Sequence, residues 1–93
     1  MQKAYLIGYD LRQPGRDYKS LFQAIESYGT YWRFLDSTWV VRSSRSAAQI
    51  RDHLIQYIDN NDKLFVARLS GEAAWYGFSV DGNSWLKQQL EAA

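Results

Sequence analysis

The stretch TYWRFLDSTWVVRS, residues 30–43, decides the fold of this chain. It is rich in β-branched and aromatic residues, which favour strands, and Asp36 and Ser37 interrupt it near the middle. Because Asp and Ser are ordinary turn residues, the pattern predicts either two strands of a hairpin or one long bent strand. The choice sets how many strands the sheet contains.

Helical patterns flank this stretch on both sides. Before it, Asp17 is a candidate N-cap, and Gly29 stands where helices usually end. The apolar residues between them have helical spacing: Tyr18, Leu21, Phe22, Ile25 and Tyr28. After it, Ser46 and Gln49 have the spacing of a capping box. The buried stripe predicted for this second helix is Ala47, Ile50, Leu54 and Ile58.

Two further strands are predicted outside the helices, at residues 4–10 (AYLIGYD) and 63–69 (KLFVARL). A shorter strand is predicted at 73–80, followed by a short helix capped by Asn83. The order strand, helix, two strands, helix, strand is typical of the ferredoxin-like α+β sandwich. We therefore predict one ferredoxin-like βαββαβ domain over residues 1–93, with an appended C-terminal strand and short helix.

The first and the fourth predicted strands carry apolar residues on both of their faces. Two helices cover only one face of a four-stranded sheet, so the other face needs a partner, and a second copy of the chain is the simplest one. We expect a homodimer. The residues expected on the open face, or next to it, are Tyr5, Ile7, Tyr9, Phe65 and Leu69.

The composition excludes several classes of protein and of site. The chain has 93 residues, no cysteine and one histidine, so any metal must be held by oxygen ligands. A net charge of +1 is far from the strong positive field of proteins that grip long stretches of nucleic acid. No apolar run approaches the ~20 residues of a membrane span, and no signal-peptide pattern is recognisable, so we expect a cytoplasmic protein.

Segments along nearly the whole chain resemble a known family: YDLRQPGRDY, SYGTYW, LDSTWVV, SAAQIRDHL, DNNDKLFV, AAWYG and SWLK. The chain resembles small ferredoxin-fold proteins related to the second core CRISPR adaptation protein and to virulence-associated protein D. It is similar in particular to a group of bacterial hypothetical proteins, some of them labelled SinR-like. The resemblance implies a homodimer packed sheet to sheet, with the first-strand aspartates facing one another. In some members this pair is thought to hold a divalent metal for phosphodiester cleavage, and only Asp10 matches that motif here.

Asp10 therefore has two interpretations. As a ligand, the Asp10 carboxylates of two copies would supply the one or two carboxylates that Mg²⁺ or Mn²⁺ takes, which makes Asp10 the candidate catalytic and metal-binding residue. As a turn residue, it would accept backbone N–H bonds from the Arg12–Gly15 loop. Turn aspartates are the commoner of the two, so we favour the second interpretation.

Other polar residues also have a plain and a functional interpretation. Arg12, Arg16 and Lys19 form a basic cluster that is a candidate nucleic-acid contact, although spaced cations are usually solubility charges. Asp36 and Ser37 could supply further metal ligands, but a bend in the hairpin is the simpler interpretation because both are ordinary turn residues. His53, off the apolar stripe of its helix, is expected to be a solvated residue rather than a general base.

Two functions follow from this pattern. The first is a homodimeric scaffold, like the CRISPR adaptation protein, that binds a nucleic acid or a protein. The alternative is a weak endonuclease on RNA or DNA that uses Mg²⁺ or Mn²⁺ and Asp10 from both subunits. The scaffold requires no residue that the sequence lacks, so it is the interpretation we prefer.

Overall fold

A computed structural model describes residues 2–12, 17–70, 72–77 and 80–91 of the chain. The strands are β1 (Lys3–Asp10), β2 (Tyr31–Leu35), β3 (Thr38–Ser43) and β4 (Lys63–Arg68). The helices are α1 (Lys19–Glu26), α2 (Ala47–Leu54) and α3 (Val80–Glu91), and a 3₁₀ turn, Ile55–Tyr57, extends α2. The sheet order is β2-β3-β1-β4, with all neighbouring strands antiparallel. The predicted ferredoxin-like α+β fold is confirmed.

The stretch at 30–43 is a hairpin, and its two strands meet in a tight turn at Asp36 and Ser37. The turn is held from outside: the backbone N–H of Tyr9 donates to the carbonyl oxygen of Ser37 at 3.1 Å. The Nε of Arg33 donates to the carbonyl oxygen of Asp36 at 2.9 Å. The bend interpretation of Asp36 and Ser37 is therefore confirmed, and the hairpin supplies the two central elements of the βαββαβ order.

The start of α2 and the end of α1 are as the sequence predicts, whereas the start of α1 differs. Ser46 and Gln49 form the predicted capping box, with the Gln49 N–H donating to the Ser46 hydroxyl at 3.1 Å and the Ser46 N–H to the Gln49 side chain at 2.8 Å. Gly29 follows α1 with φ +90°, a conformation that favours glycine. The cap position of α1 is Tyr18 rather than Asp17, whose carboxylate accepts the N–H of Lys19 instead.

The main core lies between the helices and one face of the sheet. Leu21 and Ile25 of α1 and Ile50 and Leu54 of α2 are fully buried, as their helical spacing predicts. The sheet residues that meet them are Tyr5, Ile7, Trp39 and Val41. Tyr5, Ile7 and Tyr9 thus face or pack against the helix-side core, and their expected place on the open face is wrong. Both faces of β1 are apolar, so alternation alone does not tell which one the helices cover.

The far face of the sheet is partly covered by the chain itself. Val40 of β3 and Leu86 of α3 are buried against each other, and other apolar residues surround them: Trp32, Leu69, Trp75 and Trp85. The rings of Trp32 and Trp85 meet edge to face at 5.8 Å. The C-terminal helix therefore buries part of the surface for which a second copy was expected.

The segment that leads to α3 differs from its prediction. Residues 72–77 form no strand, so the appended C-terminal strand expected at 73–80 is absent from the part of it that the structure describes. The helix begins at Val80, three residues before the predicted cap Asn83. In this segment the apolar residue Trp75 packs beside Val40 and Leu86 without strand pairing. None of the described helices is long and apolar enough to cross a membrane.

Candidate functional site

Asp10 is the last residue of β1, and its side chain is half exposed. Arg12, two residues on, turns back onto it: the Nη2 of Arg12 lies 2.7 Å and its Nε 2.9 Å from Oδ2 of Asp10. On the neighbouring strand, Lys63 is paired in register with Asp10. The carboxylate that the sequence singles out is therefore ion-paired within its own chain and has a second cation beside it.

The backbone of the same loop is held by a different carboxylate, Asp62. The N–H of Arg12 donates to Oδ1 of Asp62 at 2.7 Å, and the Tyr18 hydroxyl donates to Oδ2 at 2.8 Å. The N–H of Asp59 donates to Oδ2 at 2.8 Å. Asp62 thus ties together the end of β1, the start of α1 and the turn before β4. In the sequence it is one of four polar turn residues, DNND, and nothing there distinguishes it.

The basic cluster predicted beside Asp10 is only partly visible. The structure brings Arg12 against Asp10, whereas Lys19 lies exposed in the first turn of α1. Arg16 lies outside the described residues. Arg33, a further scattered cation, stacks over the Phe22 ring at 4.7 Å and near the Trp39 ring at 5.6 Å. Among the described parts of the chain, no group of three or more His, Asp or Glu side chains is placed to hold a metal ion.

A shallow groove of about 340 Å³ runs beside Asp10 between β1 and β4. Its walls include Gly8 and Phe65, which are paired in register on the far face of the sheet. Phe65 is 65% exposed, because α3 covers the face nearer β2 and β3 and the residue opposite Phe65 has no side chain. We call the surface formed by Gly8, Asp10, Lys63 and Phe65 the Phe65 patch.

A second concave surface lies at the opposite end of the sheet, where β1 begins and β3 ends. It has a volume of about 290 Å³ and is lined mainly by polar side chains, among them Ser27, Tyr28, Arg42, Ser44, Arg45 and His53. We call it the Arg45 pocket. Its residues come from the start of β1, the end of α1, the end of β3, the β3–α2 connection and α2. No sequence motif predicts that these residues line one pocket.

His53 belongs to the Arg45 pocket and is half buried, contrary to the expectation of a solvated residue. Its Nδ1 lies 2.8 Å from the Tyr28 hydroxyl, and its ring meets that of Tyr57 edge to face. Burial, and then the positive charge of Arg45, lowers the pKa of His53 below its ordinary value. Burial raises the pKa of Tyr28, against the opposing effect of Arg45. Near neutral pH the tyrosine is therefore protonated and the histidine mainly neutral.

No protein-family model matches this chain.

Proposed function

We propose that this chain is a non-catalytic homodimeric scaffold, like the CRISPR adaptation protein it resembles, that binds a nucleic acid or a protein in the cytoplasm. The observation that carries the proposal is the Phe65 patch. A phenylalanine that is 65% exposed lies beside a glycine, on a part of the sheet face that α3 leaves open. Aromatic side chains are enriched at association surfaces, and here one lies exposed at the wall of a shallow groove.

The charges of the Phe65 patch favour a second copy as its occupant. Asp10 and Lys63 lie side by side at one end of the patch, so the surface carries both signs of charge next to an apolar centre. A two-fold axis through such a surface can bring the acidic group of one copy to the basic group of the other. Face-to-face packing of two identical patches is therefore self-complementary.

Pairing of the two copies along the free edge of β4 is disfavoured by the same reasoning. The strand has Lys63 at one end and Arg68 at the other, and both are exposed. Two copies of this strand brought edge to edge would gather four exposed basic side chains along one seam, and like charges held close together are destabilising. Basic residues on edge strands also discourage edge-to-edge pairing in general. The proposal thus uses the face of β4 and not its edge.

The interactions of Asp10 support a scaffold over the alternative endonuclease. A metal would have to compete with the Arg12 guanidinium for Oδ2 of Asp10, with Lys63 adding positive charge nearby. Divalent cations prefer sites where several oxygen ligands are free to converge. At this position each copy of the chain would supply one carboxylate, that of Asp10, and this carboxylate is already paired with Arg12. The donor set suits an interface charge better than a catalytic metal.

Light scattering on three proteins tests the proposal. The wild type is expected to have a dimer mass at tens of micromolar, and Phe65→Asp is expected to be monomeric because it buries a charge at the centre of the patch. Leu35→Asp is the matched control, since Leu35 is also an exposed strand residue, 51% accessible, on the other edge strand. It should remain dimeric. A monomeric wild type, or a Phe65→Asp variant that still forms dimers, would refute the proposed interface.

A further inference from the structure

The Arg45 pocket is lined by two arginines and, within the described part of the chain, by no acidic residue that would neutralise them. Arg42, Arg45 and His53 all line it, and none of the described residues around it is Asp or Glu. Among the described residues, neither arginine has a carboxylate within ion-pair distance. Arg42 contacts the side chain of Gln89 at 3.3 Å and the carbonyl oxygen of Gln2 at 3.1 Å. Arg45 lies over the Tyr28 ring at 5.7 Å.

The acidic residue nearest in sequence to His53 is already engaged elsewhere. Asp52 pairs with Arg51, with 3.0 Å between Oδ1 and Nη2, and both side chains are more than half exposed. Neither of these two residues lines the pocket. The positive charge in the Arg45 pocket is therefore not balanced by the local chain, in contrast to the charge of Arg12 at the other end of the sheet.

The remaining lining groups are hydrogen-bonding side chains of a kind that suits a tetrahedral anion. Ser27 and Ser44 line the same concavity as Arg45 and His53. Arginine presents several N–H donors in a fixed fork that matches the oxygens of a phosphate, and hydroxyl groups supply further donors. A phosphate dianion has more acceptor positions than a carboxylate and so makes fuller use of such a set. A volume of about 290 Å³ accommodates a phosphate together with part of the group that carries it.

We propose that the Arg45 pocket binds a phosphate monoester. The ligand places its phosphate against Arg45, within reach of His53. The same chemistry is found in a free nucleoside monophosphate and in the phosphorylated end of a nucleic acid strand, so the shared group is the terminal phosphate. This binding is independent of the Phe65 patch, which lies at the opposite end of the sheet.

The single histidine of the chain makes the binding directly observable. The imidazole proton resonances of His53 are followed by NMR during titration with inorganic phosphate, with adenosine monophosphate, and with one short DNA strand bearing either a 5′-phosphate or a 5′-hydroxyl. We expect saturable shifts with both nucleotide ligands that carry the phosphate, and with inorganic phosphate more weakly. Bound dianion should also raise the pKa of His53 by about one pH unit, because a nearby negative charge favours imidazolium.

Two variants that each remove one positive charge separate a specific pocket from general attraction. Arg45→Ala should weaken binding of adenosine monophosphate about 10-fold or more, as expected for one charge-assisted contact. Arg51→Ala, which removes an exposed cation of α2 that does not line the pocket, should change binding less than about 2-fold, as expected for a screened surface charge. Arg45→Lys keeps the charge and should recover part of the affinity.

Three results would overturn the proposal. The first is an equal loss of binding in Arg45→Ala and Arg51→Ala. The second is equal binding of the 5′-hydroxyl and 5′-phosphate strands, which would indicate contact with the strand backbone. The third is a His53 resonance that does not move with any of the four ligands. Selective binding of the phosphorylated strand over adenosine monophosphate would support the proposal and identify a strand end as the source of the phosphate.

Discussion

The two ends of the sheet treat their charged residues in opposite ways. At the end where β1 finishes, Asp10 pairs with Arg12, and Asp62 accepts hydrogen bonds from three donors: the Arg12 N–H, the Tyr18 hydroxyl and the Asp59 N–H. At the end where β1 begins, Arg42 and Arg45 line a pocket without a carboxylate among its described residues. At the first end the charged side chains hold segments of the chain together. At the second end the positive charge is left to interact with a ligand. Asp10 stands out in the sequence but is ion-paired, whereas the arginines without a carboxylate partner among the described residues do not stand out. A conspicuous charged residue in the sequence therefore does not tell which charge is free to bind a ligand.

The largest effect should come from the end that closes the fold. Asp62→Ala removes the acceptor of the Arg12 N–H, the Tyr18 hydroxyl and the Asp59 N–H, and should lower the free energy of unfolding by about 2–4 kcal/mol. Urea denaturation measures this. Asp52→Ala is the control, because Asp52 is exposed and its ion pair with Arg51 is exposed too; it should change stability by about 0.5 kcal/mol or less. Similar losses in both variants would mean that Asp62 has no special structural role.

The difference between the two ends also shows what sequence patterns can predict. Helical spacing identified Leu21, Ile25, Ile50 and Leu54 as core residues, because a single periodicity decides which side of a helix is apolar. Turn chemistry at Asp36 and Ser37 located the hairpin. These elements, in their order along the chain, were sufficient for the fold class.

Such patterns could not predict which face of the sheet the helices cover, nor the existence of the Arg45 pocket. Where a strand is apolar on both sides, as β1 is, alternation separates two faces without telling which one the helices cover. The packing of Leu86 onto Val40, which covers part of the far face, joins segments more than forty residues apart. The Arg45 pocket depends in the same way on residues distant in sequence, such as Tyr28 and His53, whose side chains meet at 2.8 Å. Long-range contacts of this kind leave no local signature.

A smaller effect is expected at the pocket end, where the His53–Tyr28 contact is one hydrogen bond between half-buried groups. His53→Ala should cost about 1 kcal/mol of unfolding free energy. The adjacent core substitution Leu54→Ala should cost about 2–5 kcal/mol, since Leu54 is fully buried in the main core. Denaturant midpoints of the two variants report the difference. Equal losses would place His53 in the core rather than at the edge of a pocket.

The same histidine gives the pocket end a dependence on pH. The folded state lowers the pKa of His53, so the unfolded chain binds the proton more readily and acidification favours unfolding. This contribution to stability is fully present above pH 6.5, the ordinary pKa of histidine, and is lost as the pH falls through the lower folded value. The groups that face His53 from neighbouring segments are Tyr28, Arg45 and Tyr57, of which only Arg45 is charged near neutral pH.

His53→Gln isolates this contribution, because glutamine keeps a polar side chain and does not titrate. The stability of the wild type relative to the variant should fall as the pH is lowered from 7.5 to 5, and thermal denaturation at several pH values measures it. Other groups titrate in both proteins and cancel in the comparison. A relative stability that rises on acidification would contradict the sign of the pKa shift.

The smallest effect on stability is expected for Asp10, the residue that the sequence made most conspicuous. Its ion pair with Arg12 is about half exposed on both sides, and such pairs contribute about 0–1 kcal/mol. Asp10→Asn should therefore leave the free energy of unfolding nearly unchanged. If Asp10 faces a basic group across the dimer interface, the variant should dimerise somewhat more weakly, and the difference should disappear in high salt because screening removes it.

The same variant separates the two functions. A scaffold predicts that wild type and Asp10→Asn are equally inactive when labelled RNA and DNA are incubated with Mg²⁺ or Mn²⁺. Arg12→Ala makes the comparison sharper, because it frees Oδ2 of Asp10 and should raise any metal affinity that the guanidinium suppresses. Divalent-dependent cleavage that is present in the wild type, higher in Arg12→Ala and absent in Asp10→Asn would establish the endonuclease. It would also reverse the contrast between the two ends, because the paired carboxylate would then be the one that does chemistry.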